Sequence, residues 1–174
     1  MSGAYDRAAQ LHALDTTCAG VHGLVASGVT HVPRIFGTIP DDQHEPGTRE
    51  PAPAPSPAIP VIDLGGDHEA VVAAVGHAAA EWGFFQVTGH CVPLESMAAA
   101  LDAARAFHEA PGGEGTDKAR LYTRDAARRV KYNCNFNLHQ SEVANWRDSL
   151  YIRVAPDPPT ADDMPDSCRR YVTR

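Results

Sequence analysis

The chain has 174 residues, of which 43% are hydrophobic and 21% charged, and its 15 Lys and Arg against 22 Asp and Glu give a formal net charge of −7. This composition disfavours wholesale disorder, and the acidic balance disfavours nucleic acid or an anionic membrane as a partner. No apolar stretch approaches the roughly 18 residues of a membrane-spanning helix, and the N-terminus shows no signal-peptide pattern, so we expect a cytoplasmic protein.

Two short helices are predicted near the start of the chain, at about residues 5–14 and 17–26. The second is followed by Ser27 and Gly28, a pair that is typical of a helix end. We therefore expect residues 1–45 to form a helical N-terminal segment.

A segment rich in proline and alanine runs from Pro46 to Pro60. Because proline lacks an amide hydrogen, the segment favours extended polyproline II over helix or sheet. We expect an extended, mobile linker at 46–60 that precedes a domain at 61–174. The alternative is an SH3-type ligand, for which Arg49 is the one basic anchor.

The domain is predicted to begin with a strand, a helix and a second strand. The apolar run at 61–63 indicates the first strand, and the aromatic and β-branched run at 84–88 indicates the second, paired with the first in a small sheet. Asp67 is suited to cap a helix at 68–81 between them. A second long helix is predicted at 93–109. Four side chains are expected to form a core between the helices and the sheet: Val75, Trp82, Phe84 and Leu101.

The remainder of the chain is predicted to hold short strands or extended pieces at about 118–122, 130–136 and 146–154. One more helix is predicted from Met164 to Arg174. Together these elements make an α-rich α+β region without internal repeats.

The four cysteines are separated by long, irregular gaps and form no Cys-x-x-Cys pair: Cys18, Cys91, Cys134 and Cys168. This pattern predicts unpaired thiols in a reducing compartment. A disulfide framework or a zinc site is the alternative.

The chain contains nine histidines, and histidine is a common metal ligand in proteins. Non-haem iron takes two imidazoles and one carboxylate, and a His-x-Asp or His-x-Glu pair on one strand supplies two of the three. The sequence contains neither pair and no His-Glu-x-x-His motif. We therefore expect surface or structural roles for the histidines. For His90, chelation together with Cys91 is the alternative to a hydrogen bond with the backbone.

Three sequence segments occur in an order that is specific to one family. They are IPVIDL at 59–64, EWGFFQVTGH at 81–90 and NWRDSL at 145–150. The combination resembles the N-terminal region of plant 2-oxoglutarate- and Fe(II)-dependent dioxygenases. The segments GVHGLVASG at 20–28 and HVPRIF at 31–36 are similar to the 1-aminocyclopropane-1-carboxylate oxidase homologue branch of that family.

The resemblance implies a double-stranded β-helix core flanked by helices, with Fe(II) on a His-x-Asp…His triad, 2-oxoglutarate on an Arg-x-Ser pair, and ascorbate as a further requirement. Family members oxidise small plant metabolites in specialised metabolism. Because those motifs lie in the second half of family members, we expect this chain to be the helical and small-sheet N-terminal region, with the β-helix core largely absent. We expect no catalytic residue, no metal ligand and no specific iron or 2-oxoglutarate binding in this chain.

Two local features require a separate interpretation. Arg147, Asp148 and Ser149 spell Arg-x-Ser but lie in the NWRDSL segment, so we expect structural roles for Arg147 and Asp148. The family has a glycine where this chain has Cys91, and a Cys with positive φ there would be strained by roughly 1–2 kcal/mol.

The resemblance also indicates where this region contacts substrate. Tyr132, Asn135 and Phe136 match the segment that enters the family's core, and they are the candidate residues of the substrate pocket. A tyrosine is able to hydrogen-bond to a small aromatic substrate and to stack on it. Cross-strand packing is the alternative role for all three.

Three functions are open on the sequence alone. The first is the N-terminal part of a dioxygenase, inactive by itself and acting on a small-molecule substrate only in a full-length form. The second is a non-catalytic interaction or regulatory module that pairs with full-length relatives through an unfinished sheet edge. The third is a self-sufficient enzyme of another class, which the missing motifs disfavour.

Overall fold

The structure, a computed structural model, describes residues 5–37, 58–135 and 137–171. These residues belong to two compact units. The first unit joins the residues up to 37 with those from 98 onward, and the second unit is described over 58–97. Among these residues no helix has the length and apolar character that crossing a membrane requires.

The three-part division predicted from composition remains a prediction. Its linker at 46–60 lies outside the described residues except for 58–60, and its mobility is likewise a prediction. The two compact units cross the predicted boundaries, because the helices of the segment 1–45 belong with residues from 98 onward.

The helices in chain order are α1 (Arg7–Thr16), α2 (Gly20–Ala26), α3 (His68–Glu81), α4 (Leu94–Glu109) and α5 (Asp117–Leu121), with 3-10 turns at Arg34–Phe36 and Asp166–Tyr171. The strands are β1 (Val61–Asp63), β2 (Gln86–Thr88), β3 (Val130–Cys134) and β4 (Asp148–Ile152). The combination of helices with two small sheets confirms the α+β part of the predicted fold class. The predicted bounds of β1 and α3 are confirmed as well.

The second unit consists of β1, α3 and β2, followed by the start of α4. β1 and β2 pair in parallel, which confirms the predicted pairing of these two strands. Asp67 caps α3, because its carboxylate accepts a hydrogen bond from the Ala70 N–H at 3.1 Å. β2 begins at Gln86, two residues later than predicted.

The predicted core around Phe84 is wrong. Phe84 is 56% exposed, and Leu101 on α4 is 67% exposed. Within the described residues 58–97, the buried apolar side chains are those of Ile62 and Ala78. The prediction failed because apolar spacing marks one face of a helix or strand without showing whether another element packs on it.

The first unit contains an antiparallel hairpin, β3 with β4, in which Tyr132 lies opposite Leu150 and Cys134 lies opposite Asp148. Two apolar clusters pack around it. The first cluster joins α1, α2, the 3-10 turn at Arg34–Phe36, the end of β3 and the loop after it: Leu11, Leu14, Val21, Ile35, Phe36, Cys134, Leu138 and Ala144. The second joins α4, α5, the hairpin and the C-terminal 3-10 turn: Ala103, Phe107, Leu121, Val130, Tyr132, Met164 and Cys168.

Two predicted elements of this unit need correction. Residues 118–121 are helical and not extended, because α5 begins at Asp117 after Thr116, whose hydroxyl accepts a hydrogen bond from the Ala119 N–H at 3.3 Å, whereas Tyr122 is extended and forms a parallel bridge with Tyr132. This cap outweighs the β propensity of the apolar residues that follow it. The helix predicted from Met164 is a 3-10 turn over Asp166–Tyr171 within the described residues.

Candidate functional site

Tyr132, the first predicted substrate residue, lies fully buried in the middle of β3. Its ring meets those of Phe107 and Tyr122 edge-on, with centroids 5.4 and 5.8 Å away. Its hydroxyl donates a hydrogen bond to the Ala19 carbonyl at 3.4 Å. These contacts are packing between elements, and a substrate contact for Tyr132 stays a prediction.

Asn135, the second predicted substrate residue, is also fully buried, just after β3. Its φ of 51° lies in the left-handed region, which asparagine tolerates better than most residues. Its Oδ1 accepts a hydrogen bond from Asn145 Nδ2 at 3.0 Å, whereas its own Nδ2 has no partner among the described residues. Asn135 therefore holds the loop in place and keeps one amide donor available. Phe136, the third predicted residue, lies outside the described residues.

Asp148, at the start of β4, holds the N-terminus of α2. Its two carboxylate oxygens accept hydrogen bonds from the Val21 and His22 N–H groups, at 2.8 and 2.9 Å. Gly20 adopts a φ of +63°, and a Cβ there would overlap the Asp148 carboxylate and the Tyr132 hydroxyl. The close fit requires glycine at this position, and the structural role expected for Asp148 is confirmed.

Two groups close to Asp148, the Tyr132 phenol and the Cys134 thiol, stay protonated at neutral pH. Burial, followed by the Asp148 charge, raises the pKa of Tyr132 above its ordinary value. The same two causes raise the pKa of the Cys134 thiol to about 12. Because a thiol is a weak nucleophile and a phenol a weak base, this cluster positions elements and offers no activated group.

Lys118 is a buried cation of the first unit, with 1% of its surface exposed. Its ammonium donates hydrogen bonds to the carbonyls of His108 and Ala110, at 2.7 and 2.5 Å. Carbonyls at the C-terminal end of a helix favour a cation, so Lys118 ties the end of α4 to α5. Burial lowers the pKa of Lys118 and also that of His108.

Asp15, near the end of α1, is the centre of a second polar cluster. Arg124 contacts it through Nε and Nη2 at 2.7–3.0 Å, the Tyr122 hydroxyl donates to it at 2.5 Å, and His139 Nε2 lies 3.3 Å away. Burial by itself raises the pKa of Asp15, but hydrogen bonds from Arg124, Tyr122 and His139 outweigh it and lower the pKa to about 2. Arg124 also donates to the Cys134 carbonyl at 2.9 Å, so the cluster fastens α1 to the end of β3.

No sequence pattern indicated the roles of Lys118, Arg124 and Asp15. The contacts of Asp15 span 107 to 124 positions of the chain, and no spacing rule links partners so far apart. For Lys118 the sequence holds one local indication. It lies in the first turn of a helix that Thr116 caps, shortly after the end of α4, to which it bonds.

The described residues do not fit the iron centre that the resemblance implies. Across 5–37, 58–135 and 137–171, no three His, Cys, Asp or Glu side chains come together closely enough to hold a metal ion. His90 Nδ1 accepts a hydrogen bond from the Val92 N–H at 3.1 Å, as expected for a backbone role. All four cysteines are unpaired, which confirms the prediction of free thiols.

A cavity of about 410 Å³ lies in the first unit between α4, β4 and the C-terminal 3-10 turn. Ala104 and Leu150 belong to its apolar wall, and the ionisable side chains that line it are those of His108, Cys168 and Tyr171. Tyr132 and Asn135 do not line this cavity. It therefore does not coincide with the predicted substrate residues.

Comparison with known proteins identifies the family. Residues 59–170 match the family described as non-haem dioxygenase in morphine synthesis N-terminal. No solved structure matches the chain.

The relatives are about twice as long as this chain. The chain is 41% identical over 179 residues to 1-aminocyclopropane-1-carboxylate oxidase homolog 2 of Arabidopsis thaliana, a match that covers 95% of this chain and 46% of the relative. It is 41% identical over 173 residues to a probable 2-oxoacid dependent dioxygenase of Arabidopsis thaliana, covering 94% and 45%. It is 38% identical over 172 residues to a 1-aminocyclopropane-1-carboxylate oxidase homolog of Solanum lycopersicum, again covering 94% and 45%.

The matched part of each relative is thus a little under half of its length. The family match spans both sheets of this chain, including the β1–β2 pair and the β3–β4 hairpin. The chain therefore belongs to the non-haem dioxygenase N-terminal family, and it corresponds to the N-terminal region of the 1-aminocyclopropane-1-carboxylate oxidase homologues in the 2-oxoglutarate- and Fe(II)-dependent oxygenase family.

Proposed function

We propose that this chain is the N-terminal part of a 2-oxoglutarate- and Fe(II)-dependent oxidoreductase that acts on a small plant metabolite, and that the 174 residues alone do not turn over 2-oxoglutarate. The observation that carries the proposal is the family match over 59–170. The name of one relative, a probable 2-oxoacid dependent dioxygenase, supports the class of reaction.

The chemistry of the described residues supports inactivity of the chain alone. Cys134 and Tyr132 are held protonated, and the carboxylates of Asp15 and Asp148 are engaged with donors of the chain itself. We assign Fe(II), 2-oxoglutarate and ascorbate to the full-length form. What this chain contributes is a positioned hairpin, with α1 and α2 fastened to it by the two polar clusters.

Within that role, we keep Tyr132, Asn135 and Phe136 as the proposed wall of a substrate pocket. Asn135 supports this best, because its buried Nδ2 has no partner among the described residues. A buried donor without an acceptor is costly, by roughly 1–3 kcal/mol, and a substrate oxygen would satisfy it. The unpaired thiols support a reducing compartment, and we propose the cytoplasm.

The test is release of labelled carbon dioxide from 2-oxoglutarate in the presence of Fe(II) and ascorbate. Two proteins are compared: the 174-residue chain, and a fusion of the chain with the portion of the Arabidopsis homolog 2 that lies outside the matched region. We expect release by the fusion and only the iron background from the chain. Turnover by the chain alone would contradict the proposal, and a folded fusion without turnover would do the same.

A matched control separates enzyme turnover from free iron chemistry. The fusion is prepared a second time with the first histidine of the relative's His-x-Asp motif changed to alanine. If the signal comes from a protein-bound metal, this variant falls to the iron background while its circular dichroism stays unchanged. An equal signal from both fusions would mean that carbon dioxide release does not report the proposed function.

The second candidate function is the non-catalytic module that pairs with relatives. It is favoured by the exposed apolar side chains of the second unit, such as Val61 at 60% and Phe84 at 56%. Sedimentation of the chain mixed with intact homolog 2 tests it. A stable complex that forms without turnover by the fusion would favour this candidate over the first.

A further inference from the structure

The loop between β3 and β4, residues 135–147, begins with the proposed substrate residue Asn135. The backbone of Asn135 is left-handed, and its carbonyl accepts hydrogen bonds from the Leu138 N–H at 3.3 Å and from Arg124 Nη1 at 2.9 Å. Arg124 Nη2 also donates to the Cys134 carbonyl at 2.9 Å. One guanidinium therefore binds both carbonyls at the point where β3 ends and the loop begins.

Arg124 is itself held from α1, through Asp15. Its Nε lies 3.0 and 2.9 Å from the two oxygens of the Asp15 carboxylate, and its Nη2 lies 2.7 Å from one of them. A planar guanidinium that binds a carboxylate through two nitrogens has a defined orientation, which a lysine ammonium does not reproduce. The side chains of Arg124 and Asp15 are 25% and 22% exposed, so solvent screens this pair less than an exposed one. The position of α1 thus determines where the guanidinium points.

Three further contacts run from residues 5–37 to the same loop. They are Arg7 Nη2 to the Ser141 carbonyl at 2.7 Å, the Ala144 N–H to the Ile35 carbonyl at 2.9 Å, and the edge-on rings of Phe36 and Trp146 with centroids 4.8 Å apart. They come from two separate elements, α1 and the 3-10 turn at Arg34–Phe36. Because the contacts are spread along the loop, the segment 5–37 fixes more than its first residue. This segment precedes the family match, which begins at residue 59, so that match assigns it no role.

We propose that residues 5–37 position the substrate loop of the enzyme, and that Arg124 is the positioning residue through which they set the orientation of Asn135. The inference rests on the proposed function, in which Asn135 belongs to the substrate pocket. Arg124 acts through the backbone of Asn135 and does not itself contact substrate. Ordering a loop at the moment of binding costs affinity, so a loop that is already held favours binding. Loss of the Arg124 contacts is therefore expected to weaken substrate binding more than it lowers the maximal rate.

Nuclear magnetic resonance of the 174-residue chain tests the positioning without any substrate. The coupling between the amide and α protons of Asn135, together with its carbon shifts, reports the left-handed backbone. Arg124→Lys keeps a positive charge beside Asp15 but cannot bind the carboxylate and both carbonyls at once. In this variant we expect Asn135 to lose its left-handed signature, and the Leu138 and Ala144 amides to exchange at least tenfold faster. The amides of α4 are the internal control.

Arg105→Lys is the matched control variant. Arg105 lies on α4, is 67% exposed and has an ion-pair partner, Asp102, at 3.6 Å. We expect this variant to keep the signals of Asn135 and the exchange rates of the loop. An Arg124→Lys variant that unfolds at lower urea concentration, yet keeps Asn135 left-handed and the loop amides protected, would show a purely structural role and overturn the proposal.

The fusion tests the consequence for substrate binding. The probe is a methanol extract of plant leaves, which supplies small metabolites, and the measured quantity is the rise in labelled carbon dioxide release that the extract causes. In the Arg124→Lys fusion, the extract concentration that gives half of the maximal rise is expected to increase at least fivefold, whereas the maximal rise changes less than twofold. Equal half-saturation in the unsubstituted and Arg124→Lys fusions would overturn the proposal.

The two measurements separate failure of this inference from failure of the proposed function. A fusion without carbon dioxide release contradicts the proposed function, and the Asn135 signals of the chain then still decide whether Arg124 positions the loop. A fusion that responds to the extract, combined with unchanged Asn135 signals in Arg124→Lys, supports the function and overturns the inference.

Discussion

Each unit of the molecule contains a two-stranded sheet, but the two sheets have different surroundings. In the first unit, β3 carries three consecutive buried residues, Tyr132, Asn133 and Cys134, and apolar clusters pack beside it. In the second unit, β1 buries Ile62 alone and β2 buries none of its three residues. Other elements of the first unit cover β3 of the first sheet, whereas most residues of the second sheet are exposed.

The segments that identify the family and the contacts that stabilise the described structure lie in different units. The segments at 59–64 and 81–90, which identify the family most specifically, lie in the open unit. The contacts that stabilise the first unit, such as Asp15 with Arg124, belong to no recognisable motif.

The largest expected effect comes from the same substitution made once in each unit. Phe107→Ala removes a ring that is 2% exposed, at the centre of a cluster, and we expect a loss of about 3–5 kcal/mol in the free energy of unfolding. Phe84→Ala removes a ring that is 56% exposed, and we expect a loss below about 1 kcal/mol. Urea unfolding followed by fluorescence measures both.

Similar losses for the two variants would break the comparison, because they would mean that the ring of Phe84 is covered in solution. A change in the urea m-value of either variant would indicate a change in the unfolded state or a departure from two-state unfolding. Amide exchange of the same variant distinguishes the two, since units that unfold separately lose protection separately.

A second pair of variants tests the fit between α2 and the hairpin. Gly20 and Gly28 both have positive φ, at +63° and +82°, but only at Gly20 would a Cβ meet other atoms. We expect Gly28→Ala to cost about 1 kcal/mol from backbone strain, and Gly20→Ala to cost about 2–4 kcal/mol because overlap with Asp148 is added. Thermal and urea unfolding measure the difference, and equal costs would mean that Asp148 does not hold α2 closely.

Local sequence signals predicted most of the elements. Asp67 before an apolar run gave the bounds of α3 correctly, because a cap and a helical period act within a few residues. The short segment 118–122 was predicted as extended, which is wrong for 118–121 and correct only for Tyr122, because five residues are too few for a period to decide between helix and strand.

The burial of individual side chains could not be predicted from the sequence. Phe84 and Phe107 are both aromatic residues in apolar runs, yet one is exposed and the other buried. Which of them has a partner depends on the tertiary arrangement, and neither residue's neighbours in the sequence differ enough to reveal it. The same holds for Asn135, whose burial was not visible in the sequence and which was predicted inside a strand at 130–136, although β3 ends at Cys134.

Acid is expected to weaken the first unit through Asp15. Its pKa in the folded protein is about 2, below the ordinary value of 3.8. The carboxylate therefore contributes stability above about pH 4 and loses it as the pH falls toward 2, since the unfolded chain takes up the proton first. The shift corresponds to about 2 kcal/mol. Asp15→Asn should flatten this part of the pH dependence of urea unfolding.

Asp67→Asn in the second unit is the matched control for that measurement. Asparagine caps a helix about as well as aspartate, so this variant should retain the α3 cap while it removes one carboxylate without touching the Asp15 cluster. A flattened slope in Asp67→Asn, or an unchanged slope in Asp15→Asn, would show that the acid sensitivity does not arise in the Asp15 cluster.

The smallest expected effect is a gain in stability, and it shows whether the two units unfold independently. Cys91 in the second unit and Cys18 in the first adopt similar positive φ values, 59° and 53°, so the strain predicted for Cys91 is present in the structure. Replacing either by glycine should relieve about 1 kcal/mol. If the units are independent, Cys91→Gly slows amide exchange at β1 and β2 about fivefold and leaves β3 unchanged, while Cys18→Gly does the opposite. If either variant slows exchange in both units equally, the molecule unfolds as one cooperative structure, and the contrast between a closed unit and an open one describes surface exposure alone.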